Sequence, residues 1–98
     1  MSYSLEFNPA VRDEVEAQRL WYELQRPGSG DDFYGEVIER LDLVIQNPQV
    51  FAADRRGVRL ARLKSFPYLI RYRIMGTRVR ILSVVHSSRV RGGWNRRR

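Results

Sequence analysis

Apolar and polar residues alternate with period two across residues 66–86. Tyr68, Ile70, Tyr72 and Ile74 interleave with Leu69, Arg71, Arg73 and Met75. After Gly76-Thr77 the alternation resumes, with Val79, Ile81, Ser83 and Val85 set against Arg78, Arg80, Leu82, Val84 and His86. Two such runs around a two-residue loop led by glycine predict a β-hairpin with a type II′ turn. Counting outward from the loop pairs Met75 with Arg78, Ile74 with Val79, Arg73 with Arg80, Tyr72 with Ile81 and Arg71 with Leu82. One face is then apolar, formed by Tyr68, Ile70, Tyr72, Ile74, Val79, Ile81 and Val85. The other carries Arg71, Arg73, Arg78 and Arg80. Like charges directly opposite disfavour pairing by about 0.2–1 kcal/mol. This face therefore either splays its guanidinium groups into water or awaits an anionic partner.

The pattern upstream predicts the remaining elements. Residues 2–7 read as a short strand with Tyr3, Leu5 and Phe7 on one side and Ser4 and Glu6 on the other. Asn8-Pro9 is a helix entry, Asn as N-cap and Pro at the first helical position. The helix runs over 9–25 with apolar positions Val11, Val15, Leu20, Trp21 and Leu24. Asp13, Glu14 and Glu16 sit early in it, where the helix dipole favours anions. Residues 26–30, Arg-Pro-Gly-Ser-Gly, form a helix–helix connection. They do not read as a phosphate-cradling loop, because no strand precedes them and no Lys-Ser/Thr follows. A second helix over 31–46 shows a stripe of Phe33, Val37, Leu41 and Val44, widened by Ile38 and Ile45. Glu36 and Arg40 are an i, i+4 pair on it, and Asn47-Pro48 stops it.

Residues 49–57 are irregular. Residues 58–65 return to extended structure, but Val58 and Leu60 are in one phase and Ala61 and Leu63 in the other, which predicts a bulge or a twisted edge. A tight turn into the hairpin would set Arg62 near Arg71 and Lys64 near Leu69. Residues 87–98, with five arginines, two glycines and Trp94, read as a basic tail expected to be partly flexible, with Trp94 docked back on the body. The whole is an α+β chain, β-α-α-β-β-β, with a helix hairpin packed on one face of a mainly antiparallel sheet. Its 98 residues suit one domain spanning 1–98.

Composition narrows the chemistry. The absence of cysteine excludes disulfides, thiolate metal sites and a cysteine nucleophile, and agrees with a reducing compartment. No apolar run reaches the roughly 20 residues of a membrane helix. The opening MSYSLEF lacks the form of a secretory signal, so a cytoplasmic location is expected. Charge is divided sharply. Residues 1–54 hold all eleven acids and four arginines, a net of −7. Residues 55–98 hold fourteen basic residues and no acid. Thirteen of the fourteen are arginine, which suits bidentate contact with carboxylate or phosphate. A field of this kind favours an anionic partner, whether nucleic acid or an acidic protein.

A metal-free ribonuclease needs a base for the 2′-hydroxyl, cations for the phosphorane and an acid for the leaving oxygen. His86 is the single histidine and the natural acid–base candidate. Arg59, Arg62, Arg71, Arg73, Arg80 and Arg89 could supply charge. Arg80 lies about 20 Å from His86 along one strand at ~3.3 Å per residue, so only the neighbouring strand or the tail can reach His86. The reading preferred here is that His86 ends a strand and makes a structural hydrogen bond. Tyr68, Tyr72 and Trp21 are read as core residues. No metal site and no cofactor are expected, since the acids lie where helix capping and solvation explain them.

The ordered set Trp21-Tyr22-Glu23, Gln25-Arg26-Pro27-Gly28-x-Gly30-x-x-Phe33, Asn47-Pro48, Phe66-Pro67-Tyr68-x-Ile70-x-Tyr72 and Val85-His86-x-x-Arg89-x-x-x-x-Trp94 resembles the RelE/ParE superfamily of type II toxins. It is most similar to the ParE-like, plasmid-stabilisation branch. Val90 and Arg91 stand where the family often carries an acidic residue and a proline. The resemblance implies a toxin that inhibits growth as a binder of DNA gyrase rather than as an enzyme, neutralised by a cognate antitoxin. The alternatives are a RelE-like interferase cutting mRNA on the ribosome, with His86, Arg59, Arg62 and Arg89 as its catalytic set, or a degenerate module that only binds antitoxin or nucleic acid. The antitoxin is expected on the basic face of Arg62, Arg71, Arg73, Arg78 and Arg80. Arg89 and Trp94 are functional candidates near the C-terminus.

Overall fold

A computed structural model describes residues 2–89. Strand β1 (Ser4–Phe7) leads into helices α1 (Ala10–Gln25) and α2 (Ser29–Gln46). A 3-10 turn at Pro48–Val50 follows, then strands β2 (Arg59–Arg62), β3 (Tyr68–Met75) and β4 (Arg78–His86). The sheet order is β1-β4-β3-β2. The β1–β4 pair is parallel and the other two are antiparallel. The two helices cover one face, and the expected α+β architecture is the observed one.

Burial follows from strand alternation. Ile70 and Tyr72 of β3, Val79 and Ile81 of β4 and Ala61 of β2 face the helices, where they meet Val11, Val15, Phe33, Val37 and Val44. The buried Tyr72 hydroxyl donates to the Pro48 carbonyl at 2.7 Å, and desolvation raises its pKa. The arginines of β3 and β4 alternate with these residues and lie on the outer face.

Beside the turn the predicted register holds. Gly76 sits at φ 64°, open to glycine and strained for most other residues. Met75 faces Arg78, Ile74 faces Val79, Arg73 faces Arg80 and Tyr72 faces Ile81. Beyond that point the expected pairing fails. The register shifts at Leu82, so that Arg71 faces Ser83, Ile70 faces Val84, Leu69 faces Val85 and Tyr68 faces His86. Val84, only 3% exposed, takes the core position expected for Val85. The cause lies beside β4. Strand β1 ends at Phe7, opposite Ile81, and the free edge beyond is met by α1, where Glu14 accepts the Val84 N–H at 2.9 Å.

Four further expectations need correction. Strand β2 carries no bulge. It is short, Val58 precedes it and Leu63 follows it, and both are buried outside the strand. Leu60 faces Arg71 and Arg62 faces Leu69, two residues from the expected register, because residues 63–67 span more than a tight turn. An even shift leaves Arg62 on the outer face. Helix α1 begins at Ala10 with Pro9 at its cap and no side-chain cap, so Asn8 contributes its carbonyl, accepting from the Val11 N–H. Finally, Leu20, Trp21 and Leu24 are 55%, 53% and 75% exposed. The sheet-facing stripe of α1 is Val11, Val15, Gln18 and Tyr22, at i, i+4, i+7 and i+11, which turns positions 20, 21 and 24 outward. Trp21 is therefore a surface residue, with its ring set edge-on against Tyr22 at 5.1 Å.

Candidate functional site

The basic outer face is built by β2, β3 and β4, which present Arg62, Arg71, Arg73, Arg78 and Arg80 on one side of the sheet. Their surroundings differ. Parallel pairing of β1 with β4 brings Glu6 beside Arg80. One Glu6 oxygen lies 2.9 Å from Arg78 Nη1 and the other 3.5 Å from Arg80 Nη1. Arg71 instead donates to the Ser83 hydroxyl at 3.0 Å. Arg73 donates from Nη2 to the Arg56 carbonyl at 2.8 Å. The Arg73 Nε is buried and has no hydrogen-bond partner among the described residues, and an unmet buried donor is unfavourable by about 1–3 kcal/mol. Sequence reasoning found the arginines and missed Glu6. Its alternation with Ser4 was visible, but the placing of β1 against β4 was not.

The four residues of the candidate catalytic set are not brought together. His86 pairs with Tyr68 at the end of β4, on the helix-facing side. Arg62 pairs with Leu69 on the outer side, so the sheet stands between them. Arg59 lies at the level of Tyr72 and donates to the Phe51 carbonyl. Arg89 is exposed in a helical turn over 87–89. His86 Nδ1 accepts the Ser88 N–H at 3.1 Å and lies 2.8 Å from the Ser88 hydroxyl. The imidazole thus ties that turn to the strand end, while its ring packs edge-on to Tyr68 at 5.2 Å. Trp94, Val90, Arg91 and the rest of 90–98 lie outside the described residues. Among the described residues, no group of three or more His, Asp or Glu is placed to hold a metal ion.

The motif residues converge at one end of the molecule. Tyr22, Phe33, Phe66 and Tyr68 form an aromatic cluster. Tyr22 stacks on Phe33 at 5.3 Å and meets Phe66 edge-on at 4.8 Å, and Phe33 meets Tyr68 at 5.4 Å. The Tyr68 hydroxyl bonds to Gln18, and desolvation raises the pKa of Tyr22 and Tyr68. Glu23 of α1 accepts the N–H groups of Gly28 and Gly30 at 2.9 and 3.1 Å. Its carboxylate fills the anion site that the start of α2 offers, and α2 accordingly starts two residues earlier than predicted. A Cβ on Gly30 would stand 2.5 Å from the Arg19 carbonyl oxygen, so this crossing admits only glycine. Glu36 does not form the expected pair with Arg40; it accepts the Ser65 N–H at 2.9 Å. Partial desolvation pushes its pKa up, but the Ser65 bonds and the nearby Lys64 outweigh this and hold it below the ordinary carboxylate range.

On the helix-covered side of the sheet, a groove of about 500 Å³ opens between the helices and the end of β1. Phe7, Val11, Val15, Tyr34, Ile38 and Leu41 line it. Phe7, Tyr34 and Ile38 are exposed there. The sequence pattern counted Phe7 and Ile38 as ordinary members of a strand face and a helix stripe and did not single out Tyr34.

Two comparisons bear on this arrangement. A solved structure described as the chromosomal ParDE TA system from P. aeruginosa superposes with a TM-score of 0.76 at 19% identity, covering 87% of this chain and 96% of that one. That likeness establishes the fold. Among curated proteins, none matches. No helix among the described residues is long and apolar enough to cross a membrane. The family model for the ParE toxin of the type II toxin–antitoxin system, parDE, matches residues 5–91. It spans the clasped helix hairpin, the aromatic cluster and the arginine-bearing sheet alike, and the chain belongs to the ParE toxin family.

Proposed function

We propose that the chain inhibits growth by binding DNA gyrase without catalysis, and that a cognate antitoxin neutralises it across the basic outer face. The observation that carries the first half is the match of the ParE toxin family over residues 5–91, taken with the separation of His86 from Arg62 by the sheet itself. A general acid–base residue must lie within hydrogen-bond reach of the reacting atoms, and the cations must lie beside it. Here His86 is engaged by Ser88 instead. The second half rests on the five outward arginines and on the family's pairing of toxin with antitoxin. An antitoxin segment reaching round the β1 edge would meet charge on one side of the sheet and the apolar groove on the other.

A supercoiling assay beside a programmed-ribosome assay tests the target. Purified protein is expected to block gyrase supercoiling and to leave ribosome-bound message intact by primer extension. Cleaved message with unimpaired supercoiling would replace this reading with the interferase one. Absence of both effects, with no slowing of growth on induction, would leave a binding module only.

A further inference from the structure

We propose that the outer face holds a carboxylate-binding site at Arg71 and Arg73, with Arg62 at its rim, and that Glu6 is a built-in counter-ion withdrawing Arg78 and Arg80 from it. This rests on reading the face as a partner surface, and it names the part of the face and the chemistry that part recognises.

Glu6 is the single acid on any of the four strands. Both its oxygens are committed, one to Arg78 and one to Arg80. The β1 side of the face is therefore half neutralised within the chain, one carboxylate being shared by two guanidiniums. The β2 side is not. Among the described residues, the partners of Arg71 and Arg73 are neutral oxygens, the Ser83 hydroxyl and the Arg56 carbonyl. No carboxylate lies within ion-pair distance of Arg62, Arg71 or Arg73 among the described residues. Arg73 is also incompletely bonded, because its buried Nε–H meets no acceptor while its Nη2 holds a carbonyl. With Nε buried, an incoming carboxylate would meet Arg73 at the Nη end of its guanidinium, where two N–H donors lie side by side, a fork that arginine offers and lysine lacks.

The surroundings select the class of anion. Tyr68 and Tyr72 face inward, and no strand places an aromatic ring on the outer face. The described strands therefore offer no stacking platform for single-stranded bases on that face. Leu60 and Val85 stand half-buried beside the arginines on the same face. Arginine interleaved with aliphatic side chains suits an acidic peptide that also carries apolar residues, rather than a nucleic acid backbone.

The test uses the full chain and a fluorescein-labelled decaglutamate peptide, read by anisotropy at low salt, with a ten-nucleotide oligothymidylate as the second probe. Arg71→Gln and Arg73→Gln are each expected to weaken peptide binding about fivefold or more, and Arg73→Lys nearly as much as Arg73→Gln. Arg78→Gln is expected to change it less than about twofold, since Glu6 already holds that guanidinium at 2.9 Å. Glu6→Gln is expected to tighten binding about threefold and to make Arg78→Gln harmful in that background. Equal losses from Arg73→Gln and Arg78→Gln, or no effect of Glu6→Gln, would reduce the site to diffuse charge. Full rescue by Arg73→Lys would remove the fork, and tighter binding of the oligothymidylate than of the peptide would overturn the choice of anion. Thermal melts of each variant guard against misfolding, and Arg71 provides a second probe should the half-buried Arg73 not tolerate change. The supercoiling result is independent of all these outcomes, so the site and the toxin's target can fail separately.

Discussion

The hairpin of β3 and β4 has two halves that are held in different ways. The half beside the turn is organised locally. Gly76 sets the loop, four residue pairs follow in the register that counting predicts, and β1 lies alongside with its Ser4 N–H donating to the Thr77 carbonyl. The half beyond Leu82 is organised from outside. There α1 supplies Glu14 to the Val84 N–H and Gln18 to the Tyr68 hydroxyl, and α2 supplies Glu36 to the Ser65 N–H just before β3. A turn fixes register over a few residues; farther along, the partner that satisfies a free strand edge decides which residues face the core.

A charge placed at each of two adjacent positions in the far half should have sharply unequal effects. Val84 is in the core and Val85 is on the outer face. Burying an unpaired carboxylate is severely unfavourable, so Val84→Asp is expected to destabilise the fold by about 4 kcal/mol or more. Val85→Asp, beside the arginine-rich face, is expected to cost less than about 1.5 kcal/mol. Urea unfolding followed by circular dichroism measures both. The reverse order would restore the unbulged register that counting from the turn predicts.

The same division governs how much the sequence disclosed. The helix hairpin, the near half of the β-hairpin and the outward arginines were legible, because period and turn chemistry act within a few residues. The shift at Leu82, the exposure of Trp21 and the role of Glu6 were not. Each depends on a neighbour far along the chain: Glu14 lies seventy residues from Val84, and Arg78 seventy-two from Glu6. Trp21 was misplaced because an apolar residue near a helical stripe counts as core until the stripe is anchored. Gln18, bonded to Tyr68, is a polar member of the true stripe. The motif residues identified the family, yet Tyr22, Glu23, Gly30, Phe33, Phe66 and Tyr68 form a packing and capping cluster. They mark the fold more directly than they mark a site.

Two glutamates divide in the same way. Glu14 meets a part-buried backbone N–H in the far half, and Glu6 meets exposed arginines in the near half. Glu14→Ala leaves the Val84 N–H without its charged acceptor and is expected to destabilise by about 1.5–3 kcal/mol. Amide exchange should quicken first at Val84. Glu6→Gln loses only surface ion pairs and is expected to fall within about 0–1 kcal/mol. Equal effects would mean that the far half needs no support from α1.

The smallest expected effect concerns pH. Glu36 is mostly solvated, and its hydrogen bonds from Ser65 hold its folded pKa below the unfolded value. A carboxyl depressed in this way stabilises the fold above its unfolded pKa, and that contribution is lost as pH falls through the folded one. Glu36→Gln removes the titrating group and keeps an oxygen for the Ser65 N–H. The Tm difference between the parent and this variant should therefore be largest near neutrality and should narrow between about pH 5 and pH 3. The parent should show the steeper acid-side loss. A gap that stays constant over that range would mean that the charge of Glu36 contributes nothing to docking α2 against residues 63–67, and that packing of Phe66 against Phe33 alone holds that corner.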